Sequence, residues 1–142
     1  MLLTEKLRDE VVEVLGIEKR DIETRIGENF DTLELTDGSE YIILNDDEAD
    51  EQAQNRIEDM LWAFNPSFLS GYTDLNESVF EALAELYENA NEAILALINV
   101  NGSLSDFADE AINVDGRGHF LSSYDGEEYK LPENDLYMYR EN

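Results

Sequence analysis

Sixty consecutive residues, from Ile57 to Gly116, contain twelve acidic side chains and no Lys, Arg or His. Like charges three or four residues apart on a helix destabilise it by about 0.2–0.5 kcal/mol per pair. Most water-soluble helices relieve this repulsion by alternating Glu with Lys, and this run has no Lys. Its carboxylates therefore belong either on solvated helix faces or opposite the positive charges of a partner.

The whole chain shares this imbalance. Its 142 residues include 35 Asp or Glu against nine Lys or Arg, a net charge of −26. Such a chain lacks the clustered cations that bind nucleic-acid phosphates or anionic membranes. The absence of Cys excludes disulfides, thiolate zinc sites and cysteine nucleophiles. The 42% apolar fraction suffices for a core, and the length favours a single acidic domain over residues 1–142.

The beginning of the chain predicts one helix followed by one β-hairpin. Thr4 is a suitable N-cap for the helix, and Gly16 is a suitable end. The apolar residues of this segment recur at helical spacing: Leu7, Val11, Val14 and Leu15. Asp37-Gly38 supplies the positive φ angles that a tight turn between two strands requires. The returning strand contains the apolar run at 41–44.

Three further helices and a second set of strands complete the prediction. The second helix begins near Asp46 and ends at Asn65-Pro66, where proline stops a helix. The third covers 77–100 and has the clearest amphipathic pattern, and a shorter fourth covers 104–112. The C-terminal tail is predicted as strands around a turn at Asp125-Gly126. We therefore expect an α+β fold in which three to four helices pack with short antiparallel β-hairpins.

The third predicted helix carries a regular row of glutamates, here called the glutamate series. Its members are Glu77, Glu81, Glu85, Glu88 and Glu92. On one continuous helix they would share an arc of about 80° and extend about 22 Å. Their spacing of about 5.6 Å is wider than the roughly 3.4 Å between charges along one DNA strand. The series alone is thus too sparse to imitate a nucleic-acid backbone.

Two more acidic groups extend the series into what we call the acidic surface. They are Asp46, Asp47, Glu48, Asp50 and Glu51 in the second helix, and Asp106, Asp109 and Glu110 in the fourth. Together with the glutamate series they would present a duplex-like pattern of charge. The natural partner of such a surface is the positively charged groove of another protein.

The acidity has two alternative origins that stay open. In the first, the carboxylates form a solvated face that serves solubility. In the second, the composition reflects adaptation to high salt, since only three Lys are present. Against adaptation to salt, the chain has 12 Asn and nine Ile, and its acid is concentrated in particular helices.

The sequence offers little support for catalysis or for a dedicated ligand site. His119 is the only imidazole and has no recognisable nucleophile beside it, so a structural role is favoured. The string from Asp115 to His119 holds an Arg between two glycines; it matches neither phosphate-binding nor dinucleotide-binding motifs and indicates a structural turn. The Asn-Val-Asp and Asn-Val-Asn strings do not complete a calcium loop. We therefore predict no enzyme activity, metal or cofactor.

Several strings in the second half of the chain resemble small acidic proteins of bacteriophages and related mobile elements. They are WAFNPSFL, ENANEAI and DGRGHFLSSYDGEEYKL followed by YMYR, spread over residues 57–142. Proteins of this kind include anti-restriction and anti-CRISPR inhibitors that imitate DNA, to which this chain is similar in charge and size. The resemblance implies no catalytic residues.

The sequence thus leads to one main hypothesis and one alternative. The main hypothesis is a DNA-mimic inhibitor, in the cytoplasm of an infected host, that blocks the nucleic-acid-binding groove of a restriction, CRISPR or other defence protein. It binds neither nucleic acid nor membrane. The alternative is an accessory or assembly protein that binds through apolar surface. Two interpretations of the C-terminal tyrosines stay open: they form the face of a homodimer, or they pack in the core. These residues are Tyr124, Tyr129, Tyr137 and Tyr139.

Overall fold

The computed structural model describes all residues from Met1 to Asn142 and confirms the α+β class. The helices are α1 (Glu5–Leu15), α2 (Asp46–Asp59), α3 (Pro66–Thr73), α4 (Glu77–Ala84), α5 (Asn91–Asn101), α6 (Leu104–Asp115) and α7 (Arg117–Leu121). The strands are β1 (Leu33–Glu34), β2 (Glu40–Leu44), β3 (Tyr129–Leu131) and β4 (Leu136–Arg140). Short 3₁₀ turns lie at Lys19–Asp21, Leu61–Ala63, Tyr87–Ala90 and Pro132–Asn134. Seven α-helices exceed the three to four that the sequence predicted.

The chain forms two compact units. The first combines Met1–Glu51 with Arg117–Asn142 and contains the whole sheet, whereas the second, Gln52–Gly116, is helical. Helix α2 begins in the first unit and ends in the second. The expectation of a single domain over residues 1–142 stays a prediction.

The sheet of the first unit is antiparallel and has the strand order β1-β2-β4-β3. β2 and β4 pair at its centre, where Ile43 lies opposite Met138. Leu7 and Val11 of α1 share one buried apolar cluster with these two side chains. A strand from the C-terminal tail thus completes the core that α1 and the first hairpin begin.

The predicted ends of α1 are confirmed, and the first hairpin turn is present with a positive φ at Gly38 but not at Asp37. The Thr4 hydroxyl accepts a hydrogen bond from the Leu7 amide at 3.1 Å, and Gly16 ends α1 with a φ of 66°. Between β1 and β2, Gly38 has a φ of 88°, which a residue with a Cβ adopts only with strain. Local sequence signals therefore determine both features.

Glu10 joins α1 to the far end of the chain. Its carboxylate is buried and accepts hydrogen bonds from the amide of Glu133 at 2.7 Å and the amide of Asn134 at 3.2 Å. The Asn134 side-chain amide donates a third bond at 2.9 Å. A buried carboxylate needs such donors in place of water. The turn between β3 and β4 supplies them from 123 positions later in the chain.

The core of the second unit is built around Phe107 of α6. The rings of Phe64, Phe68 and Tyr72 surround it at centroid distances of 5.2, 5.4 and 5.2 Å. Asn65-Pro66 begins α3 instead of ending α2, so this part of the prediction was wrong. Pro66 occupies the first helical position, where its missing N–H costs nothing, and the Asn65 side chain caps the Ser67 amide.

The single helix predicted over 77–100 was also wrong, because the chain breaks between α4 and α5. Tyr87 has a left-handed backbone with a φ of 52°, and its ring packs on Trp62 at 5.3 Å. The Asn91 side chain accepts a hydrogen bond from the Trp62 amide at 3.0 Å and donates one to the Asp59 carbonyl at 2.7 Å. These tertiary contacts override a continuous helical pattern.

The tail differs from its prediction at its beginning. His119 lies in α7 and not in a strand, and Asp125-Gly126 forms a turn before β3. The turn between β3 and β4 is the 3₁₀ segment Pro132–Asn134, and the run 137–139 lies in β4 as expected. Helix α7 packs on β4, and its Gly118 has no side chain to hold away the backbone of residues 126–128, which precedes β3.

This close approach makes Gly118 a sensitive position. A Cβ there would lie 2.5 Å from the Gly126 carbonyl oxygen and 2.8 Å from the Glu128 amide nitrogen, and backbone atoms cannot move aside cheaply. We expect Gly118→Ala to lower the free energy of unfolding by about 1–3 kcal/mol, measured by urea denaturation. The control is Gly71→Ala in α3, where a Cβ meets nothing within 4 Å. It should leave stability unchanged or raise it by about 0.5–1 kcal/mol. Equal losses in both variants would contradict this assignment.

Candidate acidic interaction surface

All thirteen side chains of the predicted acidic surface are solvent-exposed. Five lie at the start of α2 in the first unit: Asp46, Asp47, Glu48, Asp50 and Glu51. Eight lie in the second unit: Glu77, Glu81, Glu85, Glu88, Glu92, Asp106, Asp109 and Glu110. Burial therefore excludes none of the thirteen as a contact residue.

The second unit is the more one-sided of the two in charge. Its 65 residues hold twelve carboxylates and a single cation, Arg56. The ion pairs of Glu5, Asp9 and Glu18 with nearby Lys or Arg all lie in the first unit, where most of the cations are. Hydrated carboxylates concentrated on one unit create a negative potential that attracts cationic groups.

The break at Tyr87 divides the glutamate series among several elements. Glu77 and Glu81 lie on α4, Glu85 caps its end, Glu88 lies in the 3₁₀ turn, and Glu92 lies in the first turn of α5. The predicted single arc of about 80° is therefore wrong beyond α4. The five glutamates are all exposed, but they are distributed over α4, the 3₁₀ turn and α5 instead of forming one straight row.

Several carboxylates at the start of α2 serve the fold itself. Glu48 and Asn45 form a capping box, in which each side chain accepts a hydrogen bond from the other residue's amide, at 3.0 and 2.8 Å. Asp46 and Asp50 accept hydrogen bonds from Arg117 Nη1 at 2.8 and 3.1 Å. In this group Asp47 and Glu51 are left for external contacts, a division that the sequence pattern did not show.

Arg117 is the centre of a partly buried polar cluster. Its side chain is 10% exposed, its Nε donates to Glu128 at 2.8 Å, and the guanidinium lies 4.4 Å from the centre of the Tyr137 ring. The Tyr139 hydroxyl donates to the same Glu128 carboxylate. Burial alone would lower the pKa of Arg117, but the hydrogen bonds to Asp46 and Glu128 raise it. Asp46, Asp50 and Glu128 thus already bind the guanidinium, and Arg117 begins helix α7 where a turn into a strand was predicted.

His119, the only histidine of the chain, lies on helix α7. Its ring is exposed and packs edge-to-face on Phe120 at 4.9 Å. No group of three or more His, Asp or Glu side chains in the structure has the geometry to hold a metal ion. None of the helices combines the length and the apolar character needed to cross a bilayer.

The four C-terminal tyrosines differ in their environments. Tyr139 is fully buried, where burial and its bond to Glu128 raise its pKa, whereas Tyr124 is exposed and lies against the Arg140 guanidinium at 3.6 Å. Tyr129 donates to Asp125 at 2.7 Å, and this bond raises the pKa of Tyr129 to about 12. Tyr139 thus has the core packing that was one of the two interpretations.

One open groove lies within the acidic part of the second unit. It has a volume of about 460 Å³ and is lined by Gly71, Tyr72, Asn101, Gly102, Asp106, Asp109 and Glu110. The Tyr72 hydroxyl fixes one side by donating to the Ser103 carbonyl at 3.2 Å. The sequence pattern placed the three carboxylates on one helix but gave no sign of a groove.

Comparison of the chain with family models, with curated proteins and with solved structures found no match.

The Arg117 cluster predicts a stability effect. Removing one partner of a buried ion pair costs about 3–5 kcal/mol, and the exposure of Asp46 and Asp50 reduces this value. We expect Arg117→Met to lower the free energy of unfolding by about 2 kcal/mol in urea denaturation. The control is Arg20→Met, which removes an exposed cation paired with Glu18 and should change stability by less than about 0.5 kcal/mol. A similar small effect at both positions would contradict the role of Arg117.

Tyr129 predicts a pH dependence at the alkaline end. Above about pH 10 the unfolded chain releases its phenolic protons, whereas folded Tyr129 keeps its proton until about pH 12. Stability that is present below pH 10 is therefore lost as the pH rises through this range. Tyr129→Phe should make the decline in unfolding free energy between pH 10 and 12 shallower. Tyr124→Phe, at an exposed ring, is the control; an unchanged slope in Tyr129→Phe would refute the expectation.

Proposed function

We propose that the protein is a non-enzymatic inhibitor that imitates the charge of nucleic acid. It acts in the cytoplasm of an infected bacterial cell and occupies the nucleic-acid-binding groove of a basic defence protein, such as a restriction or CRISPR component. The observation that carries the proposal is the second unit, in which all eight predicted carboxylates are exposed and the only cation among 65 residues is Arg56.

The physical basis is the exchange of one set of anions for another. A nucleic-acid-binding groove presents Lys and Arg side chains at the positions where phosphates lie. Carboxylates on a folded scaffold meet these cations without the ordering cost that a flexible acidic tail would incur. Complementary potentials of this kind accelerate encounter and select the partner.

The structure also narrows the set of residues on which the proposal rests. Asp46, Glu48 and Asp50 already make contacts within the first unit. The glutamate series and the group Asp106, Asp109 and Glu110 are therefore the main contact residues, with Asp47 and Glu51 in support. The break at Tyr87 means that the imitation is one of charge density and not of a straight row of phosphates.

The alternative, an accessory protein that binds through apolar surface, gains support from a separate observation. Leu86 and Tyr87 are 53% and 65% exposed within the same acidic region. Such side chains do not contribute to electrostatic imitation, since they carry no charge. They favour a partner that offers apolar contact as well as cations.

The test compares two triple variants with equal changes in charge. The first reverses Glu81, Glu85 and Glu88 to Lys; the second reverses Glu13, Glu23 and Glu127, which are exposed in the first unit. Each immobilised protein is incubated with nuclease-treated bacterial lysate and eluted with rising salt. Retained proteins are then assayed for binding to a labelled DNA duplex in the presence of the acidic protein.

We expect retained proteins to elute with salt and to lose duplex binding when the wild type is added. Since each charge contact contributes about 0.5–1 kcal/mol, the first variant should inhibit at least about tenfold less well, and the second should stay within about threefold. Retained proteins whose duplex binding is unaffected would overturn the proposal. Equal inhibition by both variants would overturn the assignment to the glutamate series.

A further inference from the structure

The turn between α4 and α5 exposes apolar side chains in the middle of the glutamate series. Leu86 and Tyr87 are 53% and 65% exposed, and Val79 on α4 is 38% exposed. Val79, Leu83 and Leu86 are spaced by four and three residues, and Glu85 and Leu86 continue α4 with right-handed helical backbone angles. These three side chains therefore lie along one face. We call Val79, Leu83, Leu86 and Tyr87 the Leu86 patch.

Tyr87 is exposed because its backbone takes an unfavourable conformation. In a continuous helix this residue would share the buried side with Phe80, Ala90 and Ile94, but its φ of 52° turns it out of that pattern. A bulky L-residue adopts this region at a cost, and glycine or asparagine usually occupies such a position after a helix. Strain of this kind is common at sites of recognition. The ring therefore packs on Trp62 on one side and leaves 65% of the residue exposed to solvent.

The surroundings of the patch define the chemistry of what covers it. Glu85 and Glu88 flank Leu86 and Tyr87 in the chain, and both are exposed. At about 100° per residue, Glu81 lies on the far side of α4 from Val79, Leu83 and Leu86, so it does not border the patch. An apolar centre with a charged rim is the usual anatomy of a protein–protein interface, and Tyr is among the residues that contribute most to binding there. The two charged residues that border Leu86 and Tyr87 in the chain, Glu85 and Glu88, are both acidic.

This rim excludes several occupants. A second copy of the chain would bring one glutamate series against another, and an anionic membrane would be repelled in the same way. A purely apolar segment would cover the carboxylates without giving them partners. A segment that carries apolar side chains flanked by Lys or Arg satisfies both the centre and the rim.

We infer that the Leu86 patch docks a basic amphipathic segment of a partner protein. Apolar side chains of that segment contact Leu86 and Tyr87, and its cations pair with Glu85 and Glu88. The inference goes beyond the proposed function, because a basic amphipathic segment need not belong to a nucleic-acid-binding protein. It also combines apolar contact with acidity, which the two sequence-based hypotheses kept apart.

Trp62 provides a direct readout of the patch. It is the only tryptophan of the chain, and its ring lies 5.3 Å from that of Tyr87. The full-length protein is titrated with a synthetic helical peptide of Leu and Lys, about 18 residues or five turns long. A peptide of equal charge with Ser in place of Leu is the control for electrostatic attraction. Affinities are measured by calorimetry and by the emission of Trp62 at low and high salt.

We expect the Leu/Lys peptide to shift the Trp62 emission, to bind at least about tenfold more tightly than the Ser/Lys peptide, and to keep this advantage in high salt. Leu86→Ser should remove most of the advantage. Val100→Ser and Val114→Ser, at residues 70% and 69% exposed in the same unit, should not. Tyr87→Gly, which removes the exposed ring, should weaken peptide binding in calorimetry.

Equal affinity of the two peptides, or an unchanged affinity in folded Leu86→Ser, would overturn this inference. In that case binding that still depends on Glu81, Glu85 and Glu88 would leave the proposed function standing. Conversely, peptide binding through Leu86 without any inhibition of duplex binding would support the docking patch and reject nucleic-acid imitation.

Discussion

The guanidinium of Arg117 links segments of the first unit that are far apart in the chain. It contacts Asp46 and Asp50 at the start of α2, Glu128 before β3, and the Tyr137 ring on β4. In a chain with 26 excess negative charges, one cation shared by three carboxylates removes repulsion at a point where the backbone must come close. Gly118, one residue later, permits that approach.

Most of the carboxylates outside the Arg117 cluster are exposed to water, which stabilises their charge. The second unit places its acidic surface residues in solvent and builds its core from apolar and aromatic side chains around Phe107. Its stability therefore comes from burial, and its acidic surface is accessible for external contacts. Around Leu86 and Tyr87 this division is incomplete, since apolar side chains and carboxylates share the same exposed region.

Sequence reasoning succeeded where a local signal determines the conformation. Thr4, Gly16 and Gly38 each act within a few residues, and the α+β class followed from the two hydrophobic periods. Sequence reasoning failed where contacts between residues far apart in the chain determine the conformation. The apolar pattern of 77–100 continues through Tyr87, and only the Asn91 bonds to Trp62 and Asp59 reveal why the helix stops. Exposure of the acidic residues was readable from charge, but the pairing of Asp46 and Asp50 with Arg117 was not.

The buried bonds of Glu10 to Glu133 and Asn134 have a consequence for synthesis on the ribosome. The first unit cannot close its sheet before β4 emerges, because β4 lies between β2 and β3. The second unit is continuous in sequence and can form while the C-terminal segment is still being translated. During that interval the apolar side chains of α1, β1 and β2 stay exposed to solvent, because β4 has not yet covered them. The high negative charge of the nascent chain then opposes its aggregation with other copies.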